Sequence, residues 1–210
     1  MSHQFYSFPN LGVLINKFTD DELAPIRTEI NEIQQDFTKS KKRNFDLAGN
    51  IKNEFALVKS VDYLEKLMLP FIIAYDKEYN YLKRTSILTK DLPIVLDPPW
   101  VNFQQKHEFN PPHNHAGVMS FVIWMSVPYS IEEESVYGPG AESLHPLSGY
   151  FSFHFTNIIG QIDNEPIPVD RQMENTMVLF PSILNHSVFP FYTSDKYRIS
   201  VSGNFRLKVS

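Results

Sequence analysis

The chain has 210 residues, 42% of them hydrophobic and 20% charged, with no cysteine and a net charge of -5 at pH 7. That length supports one well-buried core, and no shift in composition marks a second, so a single domain over residues 1–210 is expected. The acidic balance argues against a non-specific grip on nucleic-acid phosphates, and the lack of cysteine excludes disulfides and thiolate metal sites, leaving nitrogen and oxygen to hold any transition metal.

The first residues, MSHQFYSFPN, show no basic stretch followed by an apolar one. No run approaches the ~18 apolar residues of a spanning helix, so a soluble, cytoplasmic protein is expected. A first strand at LGVLIN precedes FTDDELAPIRTEINEIQQDF, where Leu23, Ile26, Ile30, Ile33 and Phe37 share one helical face. Thr19 and Glu22 fit a capping box, while Pro25 lies deeper than the favoured first position and predicts a late start or a bend. The basic run Lys39, Lys41, Lys42 and Arg43 reads as a solvated loop, and FDLAGNIKNEFAL holds a Gly-Asn turn signal without a clear period. A second helix is predicted over 61–82, capped by Ser60, with Leu64, Leu67, Phe71, Tyr75 and Leu82 on its packing face and a kink at Pro70. Residues 1–90 thus supply helical support.

From residue 91 onward the text changes to short alternating runs broken by Pro, Gly and Asn: WVNFQQKH, VMSFVIWMSV, GYFSFHFT, TMVLFP, SVFPF and YRISVSGNFRL. Strands at that spacing, in a chain with 15 Pro, 17 Phe and 10 Tyr, predict a mainly β sandwich or barrel over 91–210. The acidic, Gly- and Pro-containing insertion at 131–148 reads as a long mobile loop, either a cover for a site or a solvated excursion.

In the last run Arg198, Ser200, Ser202 and Asn204 alternate with Ile199, Val201, Gly203 and Phe205. The polar face either meets water, or lines an internal cavity whose opposite, apolar face packs on the helices. In the second case Arg198 among small hydroxyls would form a carboxylate pocket. PPHNHAGV places His113 and His115 one residue apart at the mouth of a strand, and His186 stands in PSILNHSVFP, twelve residues before Arg198. His107 and His154 lie in strand-like runs and read as satisfied barrel histidines; His3 and His145 read as exposed, and Trp124 as core.

The ordered set HNHAGVMSFVIWMSVP, FPSILNHSVFPF and YRISVSGNF resembles a group of 2-oxoglutarate- and Fe(II)-dependent oxygenases widespread in bacterial and phage genomes. The resemblance covers about residues 95–207 and implies a double-stranded β-helix (jelly-roll) barrel with N-terminal supporting helices. It further implies Fe(II) and the co-substrate 2-oxoglutarate, metal ligands at His113, His115 and His186, and an Arg198 that binds the distal carboxylate with help from Ser200. Asn204 and Gln105 are further candidates for the cavity lining. Strand alternation puts His113 and His115 on one side of an extended segment, so both imidazoles can reach one ion and His186 can close a triangular face, with three positions open for a keto acid and dioxygen.

One position departs from the family pattern: His115 stands where a carboxylate is usual. Three-histidine sites also resemble thiol dioxygenases that use no 2-oxoglutarate, and a second register would take His115 as first ligand with Gly117 at the carboxylate position. The expected function is hydroxylation of a substrate at the expense of 2-oxoglutarate and oxygen. The rivals are a three-histidine dioxygenase without the keto acid and a non-catalytic barrel that serves as a binding module. The substrate is open between a protein side chain, a small metabolite and a nucleobase; the acidic balance disfavours nucleic acid, and no membrane partner is expected.

Overall fold

A computed structural model describes residues 10–84 and 93–208. The predicted residue His3 lies outside them.

Helix α1 (Asp20–Gln35) follows strand β1 (Leu14–Lys17) and begins where the sequence predicts. The Thr19 hydroxyl accepts the Glu22 N–H at 3.3 Å, and the Glu22 carboxylate accepts the Thr19 N–H at 2.8 Å. Asp20, Asp21 and Glu22 meet the positive end of the helix dipole. Pro25 neither delays nor ends the helix; it removes one intrahelical bond inside a segment held by the burial of Leu23, Ile26, Ile30 and Ile33.

Helix α2 (Val61–Tyr79) is shorter than predicted, because Asn80 adopts a left-handed conformation (φ 51°) and the chain restarts as α3 (Tyr81–Arg84). Its fully buried row is Leu64, Met68, Ile72 and Tyr75, with Leu67 and Phe71 only partly covered. The packing face is thus rotated from the predicted one. Ser60 does not cap the helix: its hydroxyl donates at 2.6 Å to the buried Glu29 carboxylate, which also takes the N–H groups of Val58, Lys59 and Ser60.

The remaining elements are strands β2 (Glu54–Ala56), β3 (Ile94–Leu96), β4 (Trp100–Gln104), β5 (Asn110–His113) and β6 (Met119–Ser126), helix α4 (Ile131–Tyr137), and strands β7 (Tyr150–Thr156), β8 (Ile162–Pro168), β9 (Thr176–Pro181), β10 (Asn185–Val188) and β11 (Arg198–Leu207). They form two antiparallel sheets. The larger runs β1-β9-β6-β11-β4-β2, with β3 on the far end of β11; the smaller runs β5-β10-β7-β8. Two strands of the larger sheet, β1 and β2, come from the first 90 residues.

Alternation assigns each face. Val101, Phe103, Phe121, Ile123, Met177, Leu179, Val201 and Phe205 pack on one side of the larger sheet with Leu23, Ile26, Leu64 and Met68 of the helices. Val122, Trp124, Val178 and Phe180 point the other way, toward Phe151 and Phe153 of the smaller sheet. The helices therefore cover the outside of a jelly-roll, and the polar face of β11 turns inward between the sheets. This settles the choice left open for that strand.

The insertion at 131–148 differs from the mobile loop expected there. Its first half is α4, which starts on a second capping box between Ser130 and Glu133. Glu134 is fully buried, and its carboxylate accepts the N–H groups of Tyr192 and Thr193 and the Thr193 hydroxyl at 2.6–3.0 Å. That anchor fixes the helix to the segment leading into β11.

Candidate functional site

His113 ends β5, His115 lies two residues on, and His186 lies in β10 directly opposite His113 in the strand register. The backbone N–H of His115 donates to the Ser182 carbonyl at 2.9 Å, which fixes the turn out of β5. The three rings lie 4.3–5.0 Å apart by centroid, and one ring nitrogen from each falls within 4.8 Å of the others. Among the described residues this is the one group of His, Asp or Glu that could hold a metal ion.

Local hydrogen bonds set the ring orientation. The Nδ1 of His113 donates to the Pro111 carbonyl at 2.7 Å and that of His186 to the Leu184 carbonyl at 3.0 Å, which leaves each Nε2 with a free lone pair. Burial lowers the pKa of all three, and the neighbouring imidazoles add to it at His115, which falls to about 4, and at His186, which falls to about 3. The set is therefore neutral at physiological pH, the form a divalent cation requires. Phe151, Phe153 and Phe180 surround His186, and Trp100 packs edge-on to His115 at 5.9 Å, so the ligand side is shielded by apolar rings. Three neutral nitrogens on one face suit Fe(II) and leave the opposite positions open. In the alternative register Gly117 would be a vacated ligand position; its backbone (φ 112°) instead packs against the larger sheet, where a Cβ would lie 2.6 Å from the Phe205 carbonyl oxygen.

The same cavity is floored by three transverse rows of the larger sheet. Trp100, Ser202 and Val122 form the row beside the histidines; Glu54, Asn102, Ser200 and Trp124 form the next; Gln104 and Arg198 form the last. All of them line the cavity, whose free volume is about 50 Å³. Arg198 is 2% exposed. Its Nε and Nη2 both donate to Gln104 Oε1, Nη1 donates to the Tyr129 hydroxyl and the Gly149 carbonyl, and Nη2 also reaches the Phe189 carbonyl. Every acceptor is neutral, so a buried positive charge faces the cavity without a counter-ion among the described residues.

The structure brings His113, His115, His186, Arg198 and Ser200 into one cavity and leaves out two predicted residues. Gln105 is exposed and beyond the end of β4, whereas Gln104, one residue earlier, shares the inward parity of Asn102 and lines the wall. Asn204 is on the inward face of β11 but accepts the Ser120 hydroxyl at 2.7 Å and does not line the cavity. Trp124 is core and cavity wall at once, 2% exposed and edge-on to Phe151. His107 is exposed beside Tyr192; His154 is bonded to Asn164 and Ser187, as a satisfied histidine would be; and His145 is exposed. Sequence reasoning missed Glu54, Trp100, Asn102, Gln104 and Tyr129. For Asn102 and Gln104 the signal was present, since they alternate with the apolar Val101 and Phe103.

Solved structures similar to the chain include a Pseudomonas putida prolyl-4-hydroxylase (14% identity, TM-score 0.57, 93% of this chain and 92% of that one) and AviO1 from Streptomyces viridochromogenes (11%, 0.56, 95% and 91%). A further one is the viral collagen prolyl hydroxylase of Paramecium Bursaria Chlorella virus-1, in a 2OG complex (9%, 0.52, 93% and 96%). At such identities they establish the jelly-roll fold. No curated protein matches the chain. Residues 99–204, half of the chain, match the family described as "Putative 2OG-Fe(II) oxygenase". That span begins just before β4 and ends within β11, and so takes in all three histidines and the arginine beyond them. The chain belongs to this family of oxidoreductases, which use Fe(II) and 2-oxoglutarate.

Proposed function

We propose that the protein hydroxylates an organic substrate in this cavity, with His113, His115 and His186 as the iron ligands and Arg198, assisted by Ser200, as the seat of the distal carboxylate of 2-oxoglutarate. The observation that carries this reading is the pairing of a neutral three-histidine face with a buried, uncompensated guanidinium two rows away along one cavity. Bound iron and the keto acid together supply oxygen activation coupled to oxidative decarboxylation.

The chain's own residues do the rest. The carbonyls of Pro111 and Leu184 hold the His113 and His186 rings in one tautomer, and the phenylalanines around His186 exclude water from the ligand face. Arg198 supplies a fixed cationic fork to a dianion, and three neutral imidazoles leave that dianion to balance the metal's charge. Because the cavity holds about 50 Å³, room for a water or two, and Gln104 occupies two guanidinium donors, the Gln104 side chain must swing aside as the co-substrate enters. The family match speaks against the rival without 2-oxoglutarate. The test is succinate formation from 2-oxoglutarate in air by the Fe(II)-loaded protein: it is expected for the wild type and lost in His186→Ala, and its absence from the wild type would overturn the reading.

A further inference from the structure

Glu54 lies in β2, an edge strand of the larger sheet, and its neighbour across the sheet is Asn102. It is 3% exposed and lines the same cavity as the histidines, yet it is outside the group whose atoms could meet on one metal. Its carboxylate accepts one hydrogen bond from Asn44 Nδ2 at 3.1 Å, and no ion pair among the described residues reaches it. A further acceptor lines that wall: the side-chain oxygen of Asn102 is buried with no hydrogen-bond partner among the described residues. An amide can be turned end for end, but a carboxyl offers only acceptors once ionised, so Glu54 is the decisive group. Buried polar groups are almost always satisfied, and a wall of unsatisfied acceptors inside a binding cavity calls for a donor from the ligand.

The surroundings narrow the class of ligand. Leu47, Ala48 and Ile51 form an apolar wall next to Glu54, and the Trp100 ring lines the cavity between Glu54's row and the histidines. An aliphatic stem fits such a wall, and a cationic head fits a carboxylate beside an indole face. We propose that the substrate is an aliphatic chain ending in an ammonium or guanidinium group, with Glu54 as its counter-ion and Asn102 as a flanking acceptor. This rests on the reading of the cavity as the oxygenase site. It gives Glu54 a role that neither metal binding nor the co-substrate seat requires.

The charges around Glu54 agree with it. Glu108 is the like charge that acts on it, while the Arg43 guanidinium is paired with Asp46 at 3.4 Å and Arg198 lies one row away, bonded to Gln104. Burial and Glu108 push the Glu54 carboxyl up to about 7, so it is part-protonated at neutral pH until a cation arrives. A cationic ligand should complete its ionisation, with release of protons at pH 7.

The test uses n-butylammonium and n-butylguanidinium as probes, with n-butanol as the neutral control. Each is titrated calorimetrically into the full-length protein, metal-free and then loaded anaerobically with Fe(II) and 2-oxoglutarate, in buffers of different ionisation enthalpy. At least tenfold tighter binding of the cations than of butanol is expected, with proton release at pH 7, and with the preference abolished in Glu54→Gln. Cations that bind no tighter than butanol, or that bind Glu54→Gln as tightly as wild type, overturn the proposal. If Glu54→Gln does not fold, the wild-type proton count decides: no release overturns it. Loading with Fe(II) and 2-oxoglutarate is followed separately by its visible band, so a Glu54-dependent cation site without that band would overturn the oxygenase reading and leave the cation site standing.

Discussion

Gln104 and Arg198 face each other across β4 and β11, and a single amide oxygen of Gln104 receives two N–H groups of the guanidinium, at 3.0 and 2.5 Å. A carboxylate binds arginine through the same kind of paired donors. Gln104 thus holds the fork in the geometry a keto acid needs while competing for it. Arg198→Ala should raise the apparent 2-oxoglutarate constant well over tenfold, since losing one partner of a desolvated charged pair costs about 2–5 kcal/mol. Arg198→Lys should rescue little, because an ammonium lacks the planar fork. Gln104→Ala should lower the constant or leave it unchanged. Steady-state succinate assays over a range of 2-oxoglutarate concentrations decide between these directions.

The metal prediction follows from the three rings. Ala at His113, His115 or His186 should each abolish or severely weaken Fe(II) binding with the far-UV circular dichroism unchanged. His115→Asp restores the carboxylate usual at that position and should retain metal. Metal content after gel filtration reads both; equal content in wild type and His186→Ala would remove the site.

Much of this was legible in the sequence, and the failures have physical causes. The alternation of Arg198, Ser200 and Ser202 with Ile199, Val201 and Gly203 gave one polar and one apolar face, and only tertiary packing could show which was inside. Gln105 was the candidate offered by the sequence; β4 stops at Gln104, and the parity of Asn102 selects Gln104 instead. Strand β8 has the sequence IDNEPIP, without apolar alternation and with two prolines; it exists as an edge strand paired only with β7. Glu54 was invisible as a site residue, since a lone acidic residue ordinarily faces water and its burial arises from β2 closing over the cavity.

The insertion at 131–148 should be cut by protease unevenly. Residues 138–147 carry turns, whereas α4 is capped and anchored by Glu134, so cleavage of the free protein should fall after Tyr137 rather than within the helix. Glu134→Ala strands two N–H groups and a hydroxyl and should destabilise the protein by about 2–4 kcal/mol in urea unfolding, exposing the helix to the same protease.

Glu54 also sets a pH dependence of stability. Its carboxyl titrates near 4.5 in the unfolded chain and is pushed up to about 7 by burial in the fold, so between those values the folded protein binds more protons. Stability contributed by the neutral carboxyl is full below about 4.5 and is lost as pH rises through 7. Glu54→Gln should therefore be more stable than wild type at pH 8, by on the order of 2 kcal/mol after allowance for partial screening, and little different at pH 5. Urea unfolding at the two pH values measures the difference, and an equal effect at both would contradict it.

In the proposed function the three histidines and the buried arginine form one site for iron and a chelated keto acid. The most direct measurement is anaerobic addition of Fe(II) and then 2-oxoglutarate to the wild-type protein, followed by visible absorption. A charge-transfer band should appear on the second addition, saturate with 2-oxoglutarate, require far higher concentrations in Arg198→Ala and be absent in His186→Ala. A wild-type protein that binds Fe(II) but shows no band at any 2-oxoglutarate concentration would contradict the account.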